Sequence, residues 1–325
     1  MNNIAIIGAG QLGSRHLQGL TTIQMPAKIY VVEPNMASLK LAEERYKEME
    51  VNPLITELKL LATIDELPET LDLVIVATNA NIRSSVTKSI IAKCQVRNFV
   101  FEKVLFQKEE DYLEIAELLK QRNIKAWVNC TRRLFNDYRL LKELFSKNQS
   151  IFFSVIGGDW GLGCNGIHFI DFLAFITEDY DIELSAEFLS PVLLESKRKG
   201  FKEFTGTLMG KQKNGSTIIL NSEPFYSGNM LMTIRGNHTI VIVDEAKGKM
   251  NIAMEHTGWK WEEKNIGIEY QSQLTGAIAD EIVITGRCGL TKFEDSVKLH
   301  TPFIRVFLNF YNSISSEKLE VCPIT

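Results

Sequence analysis

Gly8-Ala9-Gly10-Gln11-Leu12-Gly13 is the segment that most narrows what this chain can fold into. It directly follows the apolar run Ile4-Ala5-Ile6-Ile7 and leads into an amphipathic stretch over residues 13–20, so the spacing predicts a buried strand, a tight turn and a helix. Gly8 permits the turn, Gly10 lets a ligand approach the backbone, and Gly13 lets helix and strand pack closely. Such a turn aims the first N–H groups of the helix and its positive dipole end at one point, which suits a pyrophosphate. The alternative is a tight turn with no ligand.

The alternation continues, which is what gives the hexapeptide weight. Residues 28–33 read as a second buried strand ended by Pro34, then 38–46 as a helix, 71–77 as a strand, 83–92 as a helix, 98–102 as a strand, 109–121 as a helix and 125–130 as a strand. Strands alternating with helices mean a doubly wound parallel sheet with its ligand crevice at the carboxyl ends of the strands. Beyond about residue 129 the texture changes. Residues 135–146 and 166–176 are helical, but 184–194, 204–212, 216–222, 230–235 and 238–243 are strand-like and joined by turn signals such as Lys213-Asn214-Gly215 and Gly236-Asn237. Consecutive hairpins predict a mostly antiparallel sheet. Two late helices, 270–287 and 293–313, and a last strand over 317–325 complete the reading. A length of 325 residues is about twice the usual single domain, so we expect an α/β chain of two domains, 1–128 with the doubly wound Rossmann sheet and 129–325 of α+β type.

Composition excludes several function classes. With 36 Lys plus Arg against 40 Asp plus Glu, the net charge is −4, and no basic domain is present to attract a polyanion, so nucleic acid is not expected as a partner. The five cysteines are widely spaced with no C-x-x-C pair, which suggests a reducing compartment and no structural metal. His238, His256 and His300 have no partners at metal-ligand spacing. The first residues lack a basic region and no apolar run approaches membrane-spanning length, so a cytoplasmic location is expected.

Candidate site residues cluster at the predicted strand ends. Glu33 ends the second strand, where an acid accepts hydrogen bonds from adenosine ribose hydroxyls and repels a 2′-phosphate. With no arginine in the residues that follow, NAD is favoured over NADP; the alternative is a plain surface glutamate. Thr78 and Asn79, after the strand 71–77, either line the second half of the cofactor or cap the next helix. Glu102-Lys103 ends another buried strand; it is either a solvated pair or a lysine that holds a substrate hydroxyl and stabilises oxyanion charge. His168, in the apolar stretch 167–173, is either a satisfied core histidine or a proton acceptor. The basic turn Ser196-Lys197-Arg198-Lys199-Gly200 reads as solvated, with phosphate contact as the alternative, and Trp259 and Trp261 read as core or interface packing before sugar stacking.

These residues together resemble the Gfo/Idh/MocA family, named for glucose-fructose oxidoreductase and inositol dehydrogenase. The resemblance rests on Gly8-Ala9-Gly10-x-x-Gly13 with His16, on Ala77-Thr78, on Glu102-Lys103, on Asn129-Cys130-Thr131-Arg132-Arg133-Leu134-Phe135, on Gly166-Ile167-His168-Phe169-Ile170-Asp171, and on Leu290 with Glu294-Asp295-Ser296. It implies a Rossmann domain followed by an open, mostly antiparallel sheet used for substrate binding and for homodimer or homotetramer contact. It also implies hydride transfer between NAD(P) and a sugar-type substrate, with a nucleotide sugar of surface-polysaccharide synthesis as the narrower guess. Gly8, Gly10, Gln11, Leu12, Gly13, Glu33, Thr78, Asn79, Glu102 and Lys103 would hold the cofactor. Lys103 and His168 would carry the catalysis, and Arg132, Trp160 and Asn165 would join them at the substrate, while Asp171 makes a helix or interdomain contact.

Two departures bear on function. Val104 stands where the family's Glu-Lys-Pro motif has proline, and Cys164 stands four residues before His168, where an aspartate is usual. Asn165 can replace a polar contact there but not a negative charge. The expected function is therefore a dehydrogenase or reductase acting on CH–OH groups, and the alternative is a non-catalytic dinucleotide-binding sensor.

Overall fold

The computed structural model describes residues 1–146 and 149–325. The chain begins β1 (Asn2–Ile7), α1 (Gln11–Leu20), β2 (Ala27–Val32), α2 (Met36–Lys47), β3 (Ile55–Leu61), β4 (Thr70–Leu71), β5 (Leu73–Val76), α3 (Ala80–Lys93), β6 (Gln95–Val96), β7 (Asn98–Phe101), α4 (Glu109–Gln121) and β8 (Lys125–Val128). It continues α5 (Asn136–Glu143), β9 (Phe152–Gly157), α6 (Leu162–Thr177), β10 (Ile182–Leu189), β11 (Leu194–Glu195), β12 (Lys202–Glu203), β13 (Gly206–Gln212), β14 (Thr217–Ser222), β15 (Leu231–Arg235), β16 (Thr239–Asp244), β17 (Lys249–Met254) and β18 (Trp261–Asn265). Helix α7 (Gln271–Thr285), strand β19 (Thr291–Lys292) and helix α8 (Phe293–Ile314) close it.

The first compact unit comprises Met1–Phe106, Glu110–Asn129 and Glu269–Phe293. Its sheet has the order β19-β8-β7-β5-β1-β2-β3, parallel throughout except where β19 meets β8. The apolar runs of β5 and β7 are buried at every position because both sheet faces are covered. The order of the strands reverses at β1 and β5, so the turns after these two strands flank the switch point at which such sheets bind ligands. An expected single boundary at 128/129 does not contain the return of residues 269–293 to this unit. That return is driven by a close approach of helices. A Cβ on Gly19 of α1 would lie 2.7 Å from Thr275 Cβ, and one on Gly276 of α7 would lie 2.8 Å from the Gly19 carbonyl oxygen. Only glycine at these positions lets α1 and α7 meet.

The second unit comprises Gln107–Glu109, Cys130–Ile268 and Glu294–Thr325. Its eight-stranded sheet has the order β10-β13-β14-β9-β15-β16-β17-β18 and is antiparallel except for the β14–β9 pair. Alternation puts Phe153, Val155, Ile218, Leu220, Ile234, Val241 and Val243 on a buried face, with Phe172 of α6 edge-on to Phe153 at 6.2 Å. The opposite face carries Phe152, Ile156 and Leu231, each 40–47% exposed.

The α/β plus α+β organisation is as the sequence predicts, with four corrections in detail. Strands β3, β9, β17 and β18 are present although not expected: β3 and β18 mix charged with apolar residues, whereas β9 is the uncharged run Phe-Phe-Ser-Val-Ile-Gly. Residues 317–325 do not form a strand; their backbone is instead pinned by Gln107, whose Nε2 donates to the carbonyls of Cys322 (2.8 Å) and Ile324 (3.0 Å). Helix α6 starts at Leu162, four residues earlier than expected, because Gly161 takes a left-handed conformation just ahead of it. Trp259 and Trp261 are exposed around the edge strand β18 and belong to no core. Among the described residues no helix is long and apolar enough to cross a membrane.

Candidate dinucleotide groove and second-unit polar cluster

In the first unit, the turn after β1 has the shape its glycines predict. Gly8 sits at φ +93°, and a Cβ there would lie 3.1 Å from the backbone of Ala77 and Thr78. A Cβ on Gly13 would fall 1.8 Å from the Gly8 carbonyl oxygen, which no side chain can do. Gly10 differs, because nothing lies within 4 Å of the Cβ it lacks, and it occupies the N-cap of α1 with no side chain bonded to the helix. The backbone is therefore open on the side where an anion would approach.

Glu33 braces this turn. Its Oε2 accepts from Ala9 N–H at 2.9 Å and its Oε1 from Asn35 N–H at 2.9 Å. Each oxygen retains acceptor capacity for a hydroxyl. A cavity of about 460 Å³ is lined by Gly8, Gly10, Glu33, Thr63, Thr78 and Asn79 together with apolar neighbours such as Ile64 and Ile82. Thr78 Oγ1 is buried and has no hydrogen-bond partner among the described residues. Asn79 is the N-cap residue of α3, yet its side chain makes no capping bond, so simple capping does not account for either residue. Gln11 is exposed and its Oε1 accepts from Arg45 at 2.8 Å, while Leu12 is half-buried. Ala62, Thr63 and Ile64 were not foreseen, since they follow the unpredicted β3.

Glu102 occupies a different environment from the one expected of a cofactor contact. Its Oε1 lies 2.9 Å from His16 Nε2 and accepts from Asn129 Nδ2 at 2.6 Å. Asn129 Nδ2 also donates to Gln271 Oε1 at 2.7 Å, Gln271 Nε2 donates to Thr275 Oγ1 at 2.9 Å, and Thr275 Oγ1 lies 3.0 Å from His16 Nδ1. The five side chains close a ring of hydrogen bonds that joins α1, α7 and the ends of β7 and β8. Burial opposes the Glu102 charge, but the His16 hydrogen bond and charge, the Asn129 bond and the Lys103 charge outweigh it and hold the carboxyl at about 2. Lys103 follows directly, is buried, and donates its backbone N–H to Glu102 Oε2 at 3.3 Å; the Lys103–Val104 peptide is cis. Arg83, also buried and unforeseen, donates to the carbonyls of Thr78, Val104 and Leu105, which ties the turn after β5 to the segment after Lys103.

In the second unit, α6 carries Cys164, Asn165 and His168 on one face. Asn165 Nδ2 donates to the Trp160 carbonyl at 2.7 Å, and the Trp160 indole N–H donates to the Asn221 carbonyl at 2.7 Å. His168 is half-buried, one turn beyond Cys164. Glu203 was missed: its Oε2 accepts from Gly163 N–H at 2.8 Å and its Oε1 from Cys164 N–H at 3.1 Å. A carboxylate is thus present at the first turn of α6 although the sequence has cysteine at position 164. Arg132, expected at the substrate, is engaged within the second unit. Its Nε and Nη2 make a bidentate pair with Glu245 at 2.9 Å each, and its guanidinium lies over Phe169 at 4.1 Å. Asp171 pairs with Arg133 at 3.0 Å inside the second unit. Among the described residues no group of three or more His, Cys, Asp or Glu side chains could hold a metal.

No protein-family model and no curated protein sequence matches the chain. Solved structures match it in fold. An oxidoreductase from Agrobacterium radiobacter, crystallised with NAD+, L-tartaric acid and magnesium, superposes with a TM-score of 0.75 at 15% identity, covering 96% of this chain and 97% of its own. UDP-N-acetylglucosamine 3-dehydrogenase GnnA from Acidithiobacillus ferrooxidans does so at 0.71 and 14%, covering 94% and 96%. A super-repressor mutant of Gal80p from Saccharomyces cerevisiae does so at 0.73 and 13%, covering 97% and 99%. At these identities the likeness is one of fold, and it is the two-sheet fold that the sequence resemblance implies.

The ring makes a pH-dependent prediction. Because the folded-state pKa of Glu102 lies below its ordinary value of 4.5, the stabilisation it brings is complete above about pH 5 and is lost as pH falls through 4.5 towards 2. We expect Glu102→Gln to be less stable than the parent at pH 7 by roughly 3 kcal/mol in urea unfolding. That difference should shrink by more than half at pH 3. An equal difference at both pH values would remove the ring's ionic character.

Proposed function

We propose that the chain is an NAD-dependent oxidoreductase that moves a hydride between the nicotinamide and a CH–OH carbon of a sugar-type substrate. The observation that carries this reading is the groove of the first unit, where an open Gly10 backbone, the Glu33 carboxylate and the buried Thr78 hydroxyl line one cavity. Gly8, Gly10 and Gly13 would pass the pyrophosphate over the start of α1, Glu33 would accept from the adenosine ribose, and Thr78 and Asn79 would face the second half. Glu33 with no adjacent arginine disfavours a 2′-phosphate. Bound NAD supplies the hydride acceptor or donor.

The remaining chemistry falls to side chains of this chain. Oxidation of an alcohol leaves a proton on oxygen, and the His168 imidazole is assigned to accept it. Lys103 is assigned to hold the same oxygen and stabilise its developing charge. Trp160 and Asn165 bound the sugar. The nearest support for the substrate class is that GnnA, similar in fold, is named as a dehydrogenase of a nucleotide sugar.

A second reading, a dinucleotide-binding regulator without turnover, is favoured by Cys164 in place of an acid and by the fold likeness to a protein described as a super-repressor. Turnover separates the two. With a substrate found by screening nucleotide sugars, His168→Ala and Lys103→Ala should each lose about 10²–10⁴-fold in kcat while binding NADH as the parent does. Parent-like turnover in His168→Ala would discard the acid–base assignment, and NADH binding with no turnover on any sugar would favour the regulator.

We also propose that the chain forms a homodimer or homotetramer through the exposed sheet face that carries Phe152, Ile156 and Leu231, since so broad an apolar surface is unusual on a monomer. Light scattering at micromolar concentration should show a multiple of 36.8 kDa. A species of 36.8 kDa alone would reject the assembly.

A further inference from the structure

The groove of the first unit offers backbone N–H groups to an anion, yet its charged lining is acidic. Among the described residues no lysine or arginine lines the cavity beside Gly10, and Glu33 is its one charged side chain. Asp65 and Glu66 follow Ile64 of the lining and are exposed. Arg83 stands behind the rim with its guanidinium on the carbonyls of Thr78, Val104 and Leu105. A dinucleotide brings two negative charges on its diphosphate, which these carboxylates repel.

A cation reaches the glycine turn from α2. Arg45, half-buried, donates from Nη1 to Ser14 Oγ at 2.5 Å and from Nη2 to Gln11 Oε1 at 2.8 Å. Gln11 is the first residue of α1 and follows Gly10 directly. Ser14 is fully buried, and its Oγ donates to the Gln11 carbonyl at 3.1 Å. The Arg45 carbonyl in turn accepts from the buried Gln18 Nε2 at 3.0 Å. Three side chains of α1 therefore fix this arginine against the first turn of the helix.

Its charge is not consumed there. Arg45 makes no ion pair among the described residues; on its own helix Glu43 pairs with Lys47, Glu44 pairs with Lys40, and Glu48 is exposed. The first turn of α1 holds no acid. A cation at a helix N-terminus faces the positive end of the dipole, an unfavourable placement in the free protein. An anion at Gly10 is attracted by both at once. A neutral amide also donates two hydrogen bonds, so what the arginine adds at this position is its charge.

We propose that Arg45 is a positioning residue of the dinucleotide site: it fixes the Gln11 side chain at the start of α1 and sets a positive potential where the diphosphate passes. It acts from behind the turn, through Gln11 and through its field, rather than by touching the cofactor. This rests on the dinucleotide reading above and adds the residue that balances the acids of that groove.

The test is titration of the full chain with NADH, followed by nicotinamide fluorescence, in about 20 mM and about 1 M NaCl; at the higher salt the screening length falls to ~3 Å. The parent affinity should fall about fivefold between the two, the scale of a unit charge several ångströms from a dianion in a solvated setting. At low salt, affinity should follow the charge at position 45. Arg45→Lys should lie within about twofold of the parent, Arg45→Gln about fivefold weaker and Arg45→Glu weaker again, and at high salt the four proteins should converge. Equal losses in all three variants at both salts would make Arg45 a structural brace only. Parent-like binding by Arg45→Gln at low salt would leave its charge without a role, and so would parent binding that ignores salt, which needs no variant to fold. Each of these results overturns the proposal while NADH still binds. A parent that binds no NADH at either salt would overturn the dinucleotide reading itself, and this proposal with it.

Discussion

The carboxylate of Glu102, buried and ionised, is the constraint on which the first unit depends. A charge withdrawn from water costs several kcal/mol unless its partners are well placed, and removing one partner of such a pair leaves the other stranded. Here the partners come from His16 and Asn129, and these are held in turn by Thr275 and Gln271. The close helix approach at Gly19 and Gly276 brings Thr275 to His16. The result is that the residue before Lys103 cannot shift without breaking a network anchored in three separate stretches of chain. The lysine expected to meet a substrate oxygen follows directly on that anchored residue.

What could be read from the sequence is what short-range physics determines. The glycine turn, the buried runs of β1, β5 and β7, and the hairpin signals at Gly215 and Gly236 each depend on a few consecutive residues, and they gave the fold class and the groove. The strand β3, Ile-Thr-Glu-Leu-Lys-Leu-Leu, mixes charge with apolar residues at a sheet edge, so its period was weak, and the groove residues that follow it were lost with it. Long-range pairs left no local trace. Arg132 looked available for substrate because Glu245 is 113 positions away, and the ring spans residues 16 to 275. Gly19 and Gly276 were available hints, since glycine inside a helix costs about 1 kcal/mol against alanine and marks a packing demand.

In the second unit a carboxylate distant in sequence lies at the start of α6, beside the cysteine at position 164. Cysteine at position 164 removes the acid expected on the face of α6, and the sequence alone suggests a weakened site. The structure places Glu203 at the same turn, with its carboxylate on the N–H groups of Gly163 and Cys164. Negative charge is therefore restored at the helix start, but as a cap fixed to the backbone rather than as a free side chain one turn from His168. Asn165 and Trp160 line the cavity beside this helix start together with the turn at Ser196.

Dinucleotide binding in the groove beside Gly10 is tested most directly by titration of the purified chain with NADH and NADPH, followed by nicotinamide fluorescence. With Glu33 bound to the turn at Ala9 and Asn35, and proposed above as the ribose acceptor, NADH should bind with a Kd in the micromolar range, and NADPH at least tenfold more weakly, or by about 1.4 kcal/mol. No binding of either dinucleotide, or NADPH binding tenfold tighter than NADH, would contradict it.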